Sequence, residues 1–129
     1  MPPIDQFVNH LEFFGYEIKT TEKGNKLASH ATLFNLIIQE FNAGYLFSVW
    51  LATNDKAKSD HSAIMESINA FNREATVCRS YIDKDLGLWI EAWYPNLYDK
   101  AAFGTFIETL TRDHRRMSAD AVKLIDYID

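Results

Sequence analysis

Residues 33–51 read LFNLIIQEFNAGYLFSVWL, and the folding of their first half decides the class of the protein. Leu33, Ile37, Ile38 and Phe41 fit one face of a helix, whereas Phe34, Leu36, Ile38 and Glu40 fit one face of a strand. The second half arbitrates. Tyr45 to Leu51 is aromatic-rich and β-prone, and Asn42-Ala43-Gly44 supplies a three-residue hairpin loop in which Gly takes the left-handed position. The stretch therefore reads as a β-hairpin over about 33–53, which makes the chain a sheet protein rather than a helix bundle.

Upstream of the hairpin, Ile4, Phe7, Val8, Leu11 and Phe14 recur at helical spacing with polar residues between them, and Gly15 stops the helix. Tyr16 to Thr21 alternates as a short strand, and Glu22-Lys23-Gly24-Asn25 supplies a turn before Lys26 to His30. Downstream, Thr53 to Ser59 reads as a polar loop, and Ser59 or Asp60 caps a helix whose apolar positions are Ile64, Met65, Ile68 and Phe71. A second hairpin follows, with Val77 to Asp83, a Lys84-Asp85-Leu86-Gly87 turn, and Leu88 to Tyr94 stopped by Pro95. Asp99 caps a helix carrying Phe103, Phe106, Ile107 and Leu110, and Ala119 to Tyr127 reads as a shorter helix. The expected fold is α+β, an antiparallel β-sheet packed with helices in the order α-β-β-β-α-β-β-α(-α), within a single domain over residues 1–129.

Composition excludes several classes. The chain has 129 residues, 47% hydrophobic, so ordering entropy can be offset by burial and disorder is not expected. No run approaches the roughly 18 apolar residues of a membrane-spanning helix. The start, Met1-Pro2-Pro3-Ile4-Asp5, lacks the charged and apolar segments of a secretory signal, and Cys78 is the single cysteine, so a cytoplasmic location is expected. With 18 acidic against 13 basic residues, nucleic-acid binding is disfavoured. The one basic run, Arg112, His114, Arg115 and Arg116, reads as a solvated helix end, with Glu108 spaced to pair with Arg112.

Catalytic chemistry finds little support. His10, His30, His61 and His114 form no ligand pair, one cysteine cannot build a structural zinc site, and no glycine-rich phosphate loop occurs, so neither metal nor cofactor is expected. Cys78 reads as a small buried hydrophobe, because neighbouring Arg79 points to the other face of a strand. Asp60, His61 and Ser62 read as helix capping rather than a triad, and Asp83 and Asp85 as turn chemistry. The aromatics carry more information. Trp89, Glu91 and Trp93 share one face of a strand while Leu88, Ile90, Ala92 and Tyr94 share the other, so both faces carry large apolar groups. Trp is common at binding hot spots, which makes Trp89, Glu91 and Trp93 the candidate partner-binding residues.

The helix end Ile68-Asn69-Ala70-Phe71-Asn72-Arg73, the strand Val77 to Asp83, the acidic turn with Gly87 and the strand Leu88 to Tyr94 together resemble the YbjN-like domain of bacteria, best over about residues 60–110. That family shares an architecture with type III secretion chaperones. The resemblance implies helices packed on an antiparallel sheet, no catalytic residues, and a regulatory or chaperone-like role. The secretion-chaperone relatives dimerise and hold extended segments of other proteins, so a homodimer that binds a protein partner through an aromatic sheet or helix surface is expected. The competing class is a small enzyme or ligand-binding protein, which calls for a deep pocket with converging groups among His10, His30, His61 or the acidic residues.

Overall fold

The computed structural model describes all residues 1–129. Six strands form one antiparallel sheet in the order β1-β2-β3-β4-β6-β5: β1 Glu17–Thr20, β2 Lys26–Ser29, β3 Leu36–Phe41, β4 Gly44–Leu51, β5 Arg79–Ile82 and β6 Leu88–Pro95. The helices are α1 Pro3–Phe13, α2 Asp55–Ser59, α3 His61–Glu74 and α4 Lys100–Arg115. The α+β class stands, with one strand more before the first central helix than the expected order. Packing divides the chain into two compact units, one of residues 1–49 and 92–108, the other of residues 50–91 and 109–129.

In the first unit α1 starts on prolines, whose fixed φ and missing N–H suit a first helical turn. It stops at Gly15, at φ +97°, where the N–H groups of Gly15 and Tyr16 reach back to the Glu12 and Leu11 carbonyls. The apolar stripe buries Phe7 and Leu11. Phe7 is the hub of an aromatic core: it stacks on Phe103 of α4 with centroids 4.6 Å apart and meets Tyr45 and Tyr94 edge-on at 5.7 Å.

The decisive stretch forms the β3–β4 hairpin, but its loop differs from the expected one. Phe41 pairs with Gly44, so the loop is Asn42-Ala43 alone, with φ +47° and +59° at those two residues. Two consecutive left-handed residues are what a two-residue hairpin needs to match strand twist. Gly44 is required for a different reason, since a Cβ there collides with the Tyr94 carbonyl and the Trp93 indole.

Three further expectations change in the second unit. Residues 53–59 are not a loop throughout: Asn54 accepts the Ala57 N–H at 3.0 Å and starts the short helix α2. Ala119–Tyr127 is not an α-helix. Two 3₁₀ turns, Arg116–Ser118 and Leu124–Tyr127, are separated by Lys123 in the left-handed region at φ +52°, which breaks helical continuity. The segment instead returns to the start of α2, where the Asn54 amide donates to the Asp126 carbonyl at 2.9 Å and Thr53 bridges to Ile128. Strand β5 begins at Arg79 rather than Val77, because the N–H groups of Thr76, Val77 and Cys78 all go to the Asp113 carboxylate instead of a ladder. Asp60 caps α3 as expected, accepting the Ala63 N–H at 3.1 Å. Ile64, Ile68, Phe71, Leu88, Ile90, Leu110, Met117 and Leu124 form the core of this unit.

Candidate functional site

The β5–β6 hairpin has one dry face and one chemically mixed face. Leu88 and Ile90 are fully buried, and Ser80 lies nearly so beside Ile90. The register sets Arg79 opposite Glu91 and Tyr81 opposite Trp89, which places these four side chains together on the other face. Glu91 is only 4% exposed. Its Oε1 accepts Arg79 Nε and Nη2 at 2.9 and 2.6 Å, and its Oε2 accepts the Tyr81 hydroxyl at 3.2 Å. Burial, and then the adjoining Glu91 carboxylate, raise the Tyr81 pKa above that of an ordinary phenol.

One turn further on, Asp83 organises the hairpin loop and two indoles. Its Oδ1 accepts the N–H groups of Asp85 and Gly87, each at 2.9 Å, and its Oδ2 accepts the Trp89 Nε1–H at 3.0 Å. The Trp50 indole also donates to this carboxylate, and these bonds hold its pKa below the usual range, the Gly87 N–H contributing most. Gly87 has no Cβ because one would run into the Trp50 indole. The polar atoms of Trp50, Tyr81 and Trp89 are thus satisfied internally while Trp50 stays 48% and Tyr81 40% exposed. Trp50 and Tyr81 thus present exposed rings and Trp89 a half-buried one, each with its polar atom tied to the Asp83 or Glu91 carboxylate.

Trp93 is held elsewhere. It is 45% exposed, its Nε1–H donates to the Phe41 carbonyl at 2.8 Å, and its ring covers Gly44. Of the expected contact residues, Trp89 and Glu91 therefore belong to the hairpin network, and Trp93 to the β3–β4 turn.

The histidines occupy separate surroundings. His10 Nδ1 pairs with the Tyr98 hydroxyl at 2.8 Å, and its ring meets Phe103 edge-on at 5.0 Å. Burial, with Lys100 second, lowers its pKa. His30 Nδ1 accepts the Thr32 and Leu33 N–H groups at 3.1 and 3.3 Å, a turn role. His61 is exposed at the start of α3. His114 departs from the expectation of a solvated helix end: it is buried, and desolvation lowers its pKa to about 4. No three His, Cys, Asp or Glu side chains are grouped so as to hold a metal ion. Beside α1 and the start of α4 lies a groove of about 960 Å³, lined by Phe13, Phe14, His10, Tyr98 and Lys100.

Asp113 is the residue that sequence reasoning passed over. It sits inside the basic run at the end of α4, and its carboxylate is fully buried. Oδ2 accepts the N–H groups of Thr76, Val77 and Cys78 at 3.0, 2.7 and 2.9 Å, while Arg116 Nε stands 3.4 Å from Oδ1. Burial and, second, this carboxylate push the Cys78 thiol well above its normal pKa, so the thiol stays protonated. The signal available was an acid within a run of cations.

No known family pattern matches the chain, and no curated protein matches it by sequence. Among solved structures it is similar to YbjN from E. coli, described as a candidate transcription regulator, with a TM-score of 0.68 and 13% identity, covering 98% of this chain and 95% of that one. The chain has a YbjN-like fold. At that identity the likeness speaks for architecture. No helix is long and apolar enough to cross a membrane.

Proposed function

We propose that the protein is a non-enzymatic, cytoplasmic interaction module with a regulatory or chaperone-like role, acting as a homodimer that binds a protein partner through its aromatic sheet surface. The observation that carries this reading is the anchoring of Trp50, Tyr81 and Trp89 on Asp83 and Glu91. Rings fixed in this way lose little conformational freedom when a partner covers them, which is what makes aromatic residues effective contact anchors. The same anchoring supports a non-catalytic role for both carboxylates, since their oxygens already accept hydrogen bonds from neighbouring groups. Trp93 offers a further exposed ring with its N–H satisfied. The YbjN-like fold, whose E. coli representative is described as a candidate transcription regulator, agrees with a regulatory rather than a catalytic task.

The test is affinity capture from the native cell with the full chain and with Trp89→Ala and Trp93→Ala variants, each checked for native circular dichroism. A partner retained by the parent and lost by a folded variant supports the reading. Equal capture by parent and both variants overturns the assignment to these residues.

A further inference from the structure

The two outer strands of the sheet are finished differently. Antiparallel pairing turns the backbone groups of alternate residues toward one neighbour and those of the residues between toward the opposite side. In the β5–β6 hairpin the Asp83 N–H donates to the Gly87 carbonyl at 2.9 Å, so residues 79, 81 and 83 face β6 while Ser80 faces outward. Asn72 meets Ser80 there. Its Oδ1 accepts the Ser80 N–H at 2.7 Å and its Nδ2 donates to the Ser80 carbonyl at 3.1 Å, imitating the peptide of another strand. The edge of β5 is thereby blocked at its centre.

The same alternation applies to β1. The Thr21 N–H donates to the Asn25 carbonyl at 2.8 Å, so Glu17 and Lys19 face β2, while Ile18 and Thr20 turn their N–H and C=O groups outward. No side chain caps that edge as Asn72 caps β5. We propose that β1 pairs antiparallel with β1 of a second copy about a two-fold axis at Ile18, which rests on the homodimer reading above and gives it an interface.

In this register Ile18 exchanges two backbone hydrogen bonds with Ile18 of the second copy, and Thr20 donates to the Tyr16 carbonyl opposite. The Tyr16 N–H is not needed, being already given to the Leu11 carbonyl at 3.1 Å. The positions between are those where cross-strand side chains approach most closely, and they set Glu17 against Lys19 on both sides of the axis. Within one chain these two exposed side chains are 3.9 Å apart along the strand, so their charges lie on one face and are free to pair across it. The neighbouring registers that the outward backbone groups also permit set Glu17 against Glu17, or Lys19 against Lys19. The charge pattern thus selects the Ile18-centred pairing and a second copy of this chain as its occupant.

The experiment is sedimentation equilibrium and light scattering on the full chain, whose monomer mass is 14.9 kDa. The parent is expected to dimerise. Glu17→Lys and Lys19→Glu each put like charges opposite one another twice and weaken dimerisation roughly tenfold, and the double reversal returns it to near the parent value. Ile18→Pro, which deletes an outward N–H and leaves the β2-facing bonds, abolishes the dimer. Thermal melts of all variants check that the monomer fold is kept. A dimer indifferent to the single reversals, or not rescued by the double one, overturns the β1 pairing and leaves the homodimer standing. A monomer at every concentration overturns both.

Discussion

Replacing Asp113 by Ala removes the acceptor for three consecutive backbone N–H groups. The bonds from Thr76, Val77 and Cys78 converge on one oxygen at 3.0, 2.7 and 2.9 Å. Thr76 and Val77 are exposed enough for water to replace the lost acceptor, but Cys78 is buried and its N–H is left orphaned. A buried unsatisfied donor costs roughly 1–3 kcal/mol, and each charge-assisted bond traded for water loses on the order of 1 kcal/mol, so Asp113→Ala is expected to destabilise by about 3–5 kcal/mol. That is a large part of the roughly 5–15 kcal/mol that holds such a chain folded. Asp113→Asn behaves differently. Its carbonyl can take the position of Oδ2 and keep an acceptor for all three N–H groups at neutral strength, but its NH2 then replaces Oδ1 beside the Thr76 N–H and Arg116 Nε, both donors, so its cost is about 2 kcal/mol. Urea unfolding followed by tryptophan fluorescence reads both variants. With a slope of about 2 kcal/mol per molar, the midpoint falls by about 2 M for Ala and by about 1 M for Asn. Labelling of the Cys78 thiol gives an independent signal, because opening the segment frees a group that is otherwise buried and protonated. An Ala variant within about 1 kcal/mol of the parent, or an Asn variant as damaged as Ala, refutes this account.

Other consequences are open to the same unfolding assay. His114 is held neutral by burial, with its pKa lowered to about 4, so the unfolded chain binds the extra proton below about pH 6.5. Stability therefore falls as pH drops from 6.5 toward 4, by up to about 3 kcal/mol from this group, with His10 acting in the same direction; His114→Gln should flatten the profile relative to the parent. Ala43 sits in the left-handed region at φ +59°, so Ala43→Gly, which creates the preferred Asn-Gly loop, is expected to stabilise by about 0.5–1 kcal/mol, and a loss of stability would count against the turn geometry. Arg79 is largely exposed while its partner Glu91 is buried, so Arg79→Ala strands a buried carboxylate and costs about 2–3 kcal/mol. Glu91→Leu removes the charge itself and should cost less; the opposite ranking would refute the asymmetry. Asn72→Ala leaves the outward backbone of Ser80 bare, and is expected to cost about 1–3 kcal/mol and to promote aggregation visible by light scattering.

The parts of the fold that were legible in sequence are those written in apolar periodicity. Phe7 and Leu11 on α1, Ile64, Ile68 and Phe71 on α3, and Phe103 and Leu110 on α4 all lie in the core where their spacing places them. The β3–β4 hairpin was readable because Tyr45 to Leu51 is so strongly β-prone, even though its own turn was not: Ala43 occupies a conformation usually given to Gly, and Gly44 is there for contact rather than for φ. The misread segments share a cause. Helix α2 has five residues and one buried apolar side chain, Ala57, so periodicity carries nothing, and only the cap at Asn54 announces it. The C-terminal segment has helical-looking apolar residues, yet Asn54 and Thr53, more than 70 positions away, claim its backbone. Trp89 was identifiable as an aromatic on a mixed face, but its tie to Asp83 and the presence of Trp50 depend on strand neighbours that sequence order hides.

A single physical pattern connects these points. The polar side chains most easily mistaken for reactive groups are spent on the backbone: Asp113 on the approach to β5, Asn72 on the edge of β5, Asp83 on the hairpin turn, Asn54 and Asp60 on helix starts. Each satisfies N–H groups that would otherwise be lost to the sheet or helix ladder, and buried backbone donors left open are expensive. Beyond those engaged groups, the surface offers aromatic rings whose polar atoms are satisfied, the unblocked edge of β1, and the groove beside α1. The rings and the strand edge suit complementarity with another polypeptide, the use proposed for them above, because rings bury apolar area and a strand edge offers peptide hydrogen bonds. Under the proposed β1 pairing, the one-sided blocking by Asn72 acquires a functional sense: a sheet with two open edges can grow without limit, whereas one with a single open, self-complementary edge closes after two copies.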